Sequence, residues 1–171
     1  MQNQTITKED FSKHYPDDID WSVLGPTADE LRAMETEPER FTFRTLAPQV
    51  TEAFWKNKQF DSAQFAKMGE KFCFIKTSLA VEEDEDPMIE DFQVSLDEKL
   101  RKNGIGCQIG AGRGSDYYFF DLALVDVDAS LEIMKRLAEE YALLKKTWLM
   151  FYDTPDKSKF VGLYPESPSP L

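Results

Sequence analysis

From residue 71 onward the spacing of apolar side chains switches repeatedly between two residues and three to four. This alternation of period constrains the fold more than any other feature of the chain. Lys71 to Val81 is a run of strand formers in which Cys73, Ile75, Thr77, Leu79 and Val81 share one face. Ile89, Phe92, Leu96 and Leu100 then recur at helical spacing. Asp86-Pro87 supplies an N-cap and a proline at the first helical position, and Asn103-Gly104 closes the helix. Ile105 to Ile109 reads as a short strand, Gly110 to Ser115 as a glycine-rich turn, and Tyr117 to Val125 as a second long strand. Asp128 is expected to cap a helix carrying Leu131, Met134, Leu137, Ala138, Tyr141 and Leu144, with Lys145 and Lys146 at its negative end. Thr147 to Tyr152 and Phe160 to Tyr164 read as a closing hairpin.

The order is β-α-β-β-α-β plus one extra strand, which predicts an α+β chain of the ferredoxin-like, split-βαβ type. Each helix has one apolar stripe, so both are expected on the same face of a single antiparallel sheet. Residues 70–164 make up this domain, and residues 165–171, with three prolines, a frayed tail. Residues 1–69 show no alternating run and are expected to be mostly helical or irregular, punctuated by Pro16, Pro26, Pro38 and Pro48. Thr27 and Glu30 form a capping box for a helix from Ala28 toward Pro38. Pro48 starts a second helix, and Asp61 caps a third that ends at Gly69. Trp21, Phe54 and Trp55 are too apolar for a free tail and predict that this segment packs on the core.

Composition narrows the function. Asp and Glu number 32 against 20 Lys and Arg, giving a net charge of −12. That balance excludes a basic nucleic-acid binder and a protein held to anionic lipid. No run of apolar residues approaches a membrane span, and the polar stretch Met1 to Asp10 leads into no apolar segment, so a cytoplasmic protein is expected. One His and two Cys cannot assemble a zinc cluster, and no cofactor is expected. Cys73 and Cys107 read as small buried hydrophobes. His14 is the only candidate imidazole and reads as a solvated surface residue. Asp121 with Asp126 or Asp128 could serve acid/base chemistry, but so many carboxylates make such pairs a chance expectation. No catalytic constellation is therefore assigned.

Charge placement is the strongest functional signal. Every charged residue between positions 82 and 98 is acidic: Glu82, Glu83, Asp84, Glu85, Asp86, Glu90, Asp91, Asp97 and Glu98. With Ile89, Phe92 and Leu96 turned inward, Glu90, Asp91, Asp97 and Glu98 are expected to point outward. Together with Glu82, Glu83, Asp84 and Glu85 they would offer a negative surface to a basic protein partner. The alternative is a small-ligand loop at Gly110, Gly112, Arg113, Gly114 and Ser115. It lacks the strand-to-helix context of a phosphate cradle, because a strand follows it. A protein that mimics DNA with its carboxylates, or an unrecognised enzyme, is the remaining alternative.

Gly110-x-Gly-x-Gly-Ser-Asp-Tyr-Tyr, Asp126-x-Asp-x-Ser-Leu and Thr147-Trp-Leu-Met-Phe-Tyr together resemble the C-terminal half of small bacterial proteins, some of them toxin-immunity proteins. The resemblance covers roughly a third of the chain and carries no site residue across. It implies a non-enzymatic binder that occludes a toxin domain.

Overall fold

The computed structural model describes residues 5–16, 22–35, 38–56, 58–79 and 87–170. The chain is α+β. In order it forms α1 (Lys8–His14), β1 (Ser22–Leu24), α2 (Ala28–Ala33), β2 (Phe43–Thr45), α3 (Pro48–Trp55), α4 (Ser62–Phe65) and β3 (Lys71–Ser78). There follow α5 (Pro87–Lys102), β4 (Gly106–Arg113), β5 (Tyr117–Leu124), α6 (Val127–Glu140), β6 (Thr147–Phe151) and β7 (Phe160–Gly162), with a 3-10 turn at Thr154–Asp156. The strands form one sheet in the order β1-β2-β4-β5-β3-β6-β7, and every pairing is antiparallel.

Strand β3 lies inside the sheet, between β5 and β6, and is buried along almost its whole length. Its sequence accounts for this, because it is apolar in both phases of the pleat. Cys73 and Ile75 meet α5 and α6, together with Phe120, Leu122 and Leu149. Phe72 and Phe74 meet the opposite cover, together with Phe119, Trp148 and Met150. The apolar stripes of both long helices, Ile89–Phe92–Leu96–Leu100 and Leu131–Met134–Leu137–Ala138, enter the first of these clusters, so the two helices share one face of the sheet.

The N-terminal part forms the second cover. Phe11 of α1 and Tyr15 just after it, Val50 and Ala53 from α3, and Phe60 are buried against the other face. Phe54 packs at its centre, with its ring 5.4 Å from Phe74, 6.0 Å from Phe119 and 5.9 Å from Tyr152. Trp21 lies outside the described residues. Strands β1 and β2, absent from the sequence reading, extend the sheet beyond β4. Each has three residues, too few to show a period of two.

Local signals set several boundaries. Thr27 accepts a hydrogen bond from the Glu30 amide, and Asp61 accepts one from Ala63. Helix α2 stops at Ala33, short of Pro38. The cap of α6 is Asp126, whose side chain accepts from the Ala129 amide at 3.0 Å, so the helix starts two residues before the expected site. It ends at Glu140, and Ala142 follows in the left-handed region at φ 52°. Gly110 to Arg113 continues strand β4 rather than turning; the reversal falls at 114–116.

Candidate functional site

Helix α5 carries the expected acidic face. Its inward stripe leaves Glu90, Asp91 and Glu98 exposed. Two apolar side chains stand among them, Met88 at 43% and Val94 at 58% exposure. Glu82, Glu83, Asp84 and Glu85 lie outside the described residues. Asp97 does not belong to this face. Both of its carboxylate oxygens lie 2.9 Å from the Arg101 Nε, and Oδ1 accepts the Gln108 amide at 2.8 Å. Position 97 follows the buried Leu96 and precedes Arg101 by one helical turn, on the flank next to β4. It ties the helix to the sheet and is not offered outward.

The glycine-rich segment has a different neighbour from the one its sequence suggests. The register of β4 on β5 shifts between Gln108 and Gly110, and Gly110 and Gly112 come opposite Asp121 and Phe119. Residues 39–42, which lead into β2, run across these glycines as a strap. A Cβ on Gly112 would lie 2.0 Å from the Thr42 carbonyl oxygen and 2.5 Å from the Arg40 Nε, and one on Gly114 would lie 1.7 Å from the Glu39 carbonyl oxygen. Gly110 is closed in the same way by the Arg44 carbonyl and the Asp121 carboxylate. The glycines admit the strap; they do not line an open loop. Arg113 holds the strap through its backbone, accepting from the Phe41 and Thr42 amides and donating to the Thr42 hydroxyl. Ser115 lies exposed in the turn.

What the strap buries is Arg40. Its guanidinium forms a two-pronged pair with Asp121 at 2.8 and 2.7 Å, and neither side chain touches solvent. The Tyr152 hydroxyl donates to the same carboxylate, and the Arg40 Nε donates to the Thr42 carbonyl at 3.2 Å. The Phe43 ring lies 4.2 Å from the guanidinium carbon. Burial is the largest influence on Arg40 and would lower its pKa, but the charge and hydrogen bonds of Asp121, together with Tyr152, outweigh it and raise the pKa. Burial, reinforced by the Asp121 charge, pushes the Tyr152 phenol well above its ordinary value. One carboxylate thus takes two donors from Arg40 and one from Tyr152, and holds a charged arginine and a neutral tyrosine in place. Beside it Lys76, also buried, pairs with Glu39 of the strap and faces the Tyr117 ring at 4.2 Å.

A second polar cluster lies where α4 meets the 153–156 turn, around an open cleft of about 750 Å3. Asp153 accepts the Ser62 amide at 2.6 Å and its hydroxyl at 2.8 Å. Glu70 accepts from the Lys67 and Met68 amides and from the Tyr15 hydroxyl. Burial opposes ionisation of Glu70, but these donors prevail and hold its pKa below the ordinary value. Asp156 lies 2.7 Å from Lys71 and 2.8 Å from Lys159, whose hydrogen bonds lower its pKa to about 2. Asp153 and Glu70 thus fasten the N-terminal cover, and Asp156 ties the 153–156 turn to β3.

The remaining reactive side chains are placed simply. His14 is exposed at the end of α1, and Cys73 and Cys107 are buried free thiols. Burial pushes the Cys73 thiol up, away from thiolate reactivity. Among the described residues no three His, Cys, Asp or Glu side chains are grouped to hold a metal ion, and no helix is long and apolar enough to cross a membrane. No protein-family model, curated protein or solved structure matches the chain.

Sequence reasoning missed Arg40 and Tyr152, and gave Asp121 no cation partner. One signal was present. Asp121 interrupts the otherwise apolar run Tyr117–Leu124, and a carboxylate inside a buried strand demands a buried cation. Which of the chain's cations answers it is decided by the path of the strap, which has no period to read.

Proposed function

We propose that the chain is a non-enzymatic binding protein, an inhibitor or immunity-like module that meets a basic protein partner through the outer face of α5. One observation carries this reading: Met88 and Val94 are exposed in the midst of Glu90, Asp91 and Glu98. A solubilising face needs only charge, whereas a protein interface needs apolar contact inside a polar rim. The acids would speed encounter with a basic surface, and the two apolar side chains would slow release. The strand order β4-β5-β3-β6, with α5 and α6 crossing on one face, supports a ferredoxin-like scaffold for this function. The saturated Arg40–Asp121–Tyr152 network fits a role in holding the cover rather than in catalysis.

The test starts from the partner recovered from the source cell by capture at low salt and release at high salt. Replacing Glu90, Asp91 and Glu98 together by Ser should lower the association rate and flatten its salt dependence, since screening shortens from about 10 Å at 0.1 M to about 3 Å at 1 M salt. Val94→Ser should instead raise the dissociation rate. Rates at wild-type values in both variants would remove this face from the interface.

A further inference from the structure

Next to the buried arginine pair, between α3 and the sheet, lies a recess of about 290 Å3 that neither the acidic face nor the cleft includes. Its walls are Ala53 and Phe54 of α3, Phe74 of β3, and Met150 and Tyr152 of the β6 segment. Ala53, Phe74, Met150 and Tyr152 are each less than a tenth exposed. The charged lining residues are Glu39 of the strap and Lys157. The Glu39 side chain is 49% exposed, which puts the mouth on its side.

The walls specify the occupant. Three rings meet there at steep angles: Phe54 and Phe74 at 90° and 5.4 Å, Phe54 and Tyr152 at 72° and 5.9 Å, Phe74 and Tyr152 at 56° and 5.0 Å. Rings so arranged offer both edges and faces to a further aromatic ring. An apolar cavity of about 150 Å3 is enough for a benzene ring, so this recess has room for one or two fused rings and not for a helix or strand of a partner. The Tyr152 hydroxyl is engaged with Asp121, so the inner wall favours an apolar ring body. At the mouth, Glu39 meets Lys76 through Oε1, which balances its charge while its second oxygen remains to accept a hydrogen bond. The geometry points to a binding site for a small, uncharged fused-ring aromatic molecule whose N–H group donates to Glu39, an indole-class ligand. Such a ligand would touch the strap and the Arg40 network together, and so would tighten the cover over this face.

The full-length protein can be titrated with 5-fluoroindole and followed by 19F NMR. A saturable shift is expected, with nuclear Overhauser contacts to the Ala53 and Met150 methyl groups. Ala53→Leu, which fills the recess, should weaken binding by about tenfold or more. If that variant does not fold, the methyl contacts in the wild-type protein decide the matter. A 1-methyl-5-fluoroindole probe, lacking the donor, should bind more weakly. No saturable shift, contacts only to other methyl groups, or unchanged binding by a folded Ala53→Leu protein would each overturn the site. Equal binding of the two probes would overturn the Glu39 contact.

Discussion

On the face beneath α5 and α6 the sheet meets two regular helices, and the side chains between them are mostly apolar, with Thr77 and Thr147 bonding each other at 2.6 Å and Gln108 donating to Gln93 at 2.9 Å. Charge enters there at the flank, where Asp97 pairs with the buried Arg101 and joins α5 to β4. On the opposite face the sheet meets short helices and a strap, and there Arg40, Asp121, Lys76 and Glu70 are all buried. The difference follows from the backbone. A helix satisfies its own amides and carbonyls, so apolar side chains alone can seat it. A strap has no helical bonds of its own; its backbone bonds the sheet at Arg113, and it leads into Phe43, seated beside the buried Arg40. Ion pairs then fix where it lies, and glycines in the strand below let it lie close.

The largest expected effect tests that anchoring directly. Asp121→Leu alone strands the Arg40 guanidinium in the interior and should cost about 3–5 kcal/mol in urea denaturation. Combining it with Arg40→Met should restore most of the loss, because no charge is then left unpaired. A double variant as unstable as the single one would mean that the pair does more than anchor. Next in size is the glycine bed. Gly112→Ala should lower stability by about 1–3 kcal/mol through its clash with Thr42 and Arg40. The neighbouring Ala111→Gly, on the helix side, should cost only about 0.5–1 kcal/mol. Equal losses in thermal unfolding would erase the distinction between the faces.

The smallest effect is a pH dependence centred on the N-terminal cover and the 153–156 turn that it meets. The Glu70 carboxyl is held below its ordinary value of 4.5, and that of Asp156 falls from 3.8 to about 2. Groups with lowered pKa values stabilise the fold fully above their unfolded values and lose that contribution as the pH falls through the folded ones. Hydrogen exchange from pH 6 down to pH 3 should therefore show α1 and residues 59–70 losing protection before α5 and α6. Simultaneous loss on both faces would show that the cover and the helices unfold as one unit.

The same contrast explains what the sequence made legible. Helices α5 and α6 announce themselves through Ile89–Phe92–Leu96–Leu100 and Leu131–Met134–Leu137, and their position on one face follows from each having a single stripe. In strand β3 the phase of Cys73, Ile75 and Thr77 marks the face under the helices, while Phe72, Phe74 and Lys76 in the other phase signal a second cover. Local turn propensity suggests a turn at Gly110 to Ser115, whereas a segment 71 residues away in sequence decides its conformation. Helical angle alone puts Asp97 outward, but Arg101 one turn later and the Gln108 amide draw it in. Of the acidic face, Glu90, Asp91 and Glu98 were legible from helical spacing. The recess beside Tyr152 was not, because its walls come from four separate segments.

The strap is synthesised long before the surface that receives it. Arg40 leaves the ribosome 81 residues ahead of Asp121 and 112 ahead of Tyr152. At roughly 5–20 residues per second, the aromatic side chains of the cover, Phe43, Phe54 and Phe60 among them, spend several seconds with no completed sheet to dock on. A nascent chain of this kind is a natural client for chaperones that hold exposed aromatic segments. Codons that slow translation after residue 70 would lengthen its exposure and lower the yield of folded protein without altering a single contact in the finished molecule.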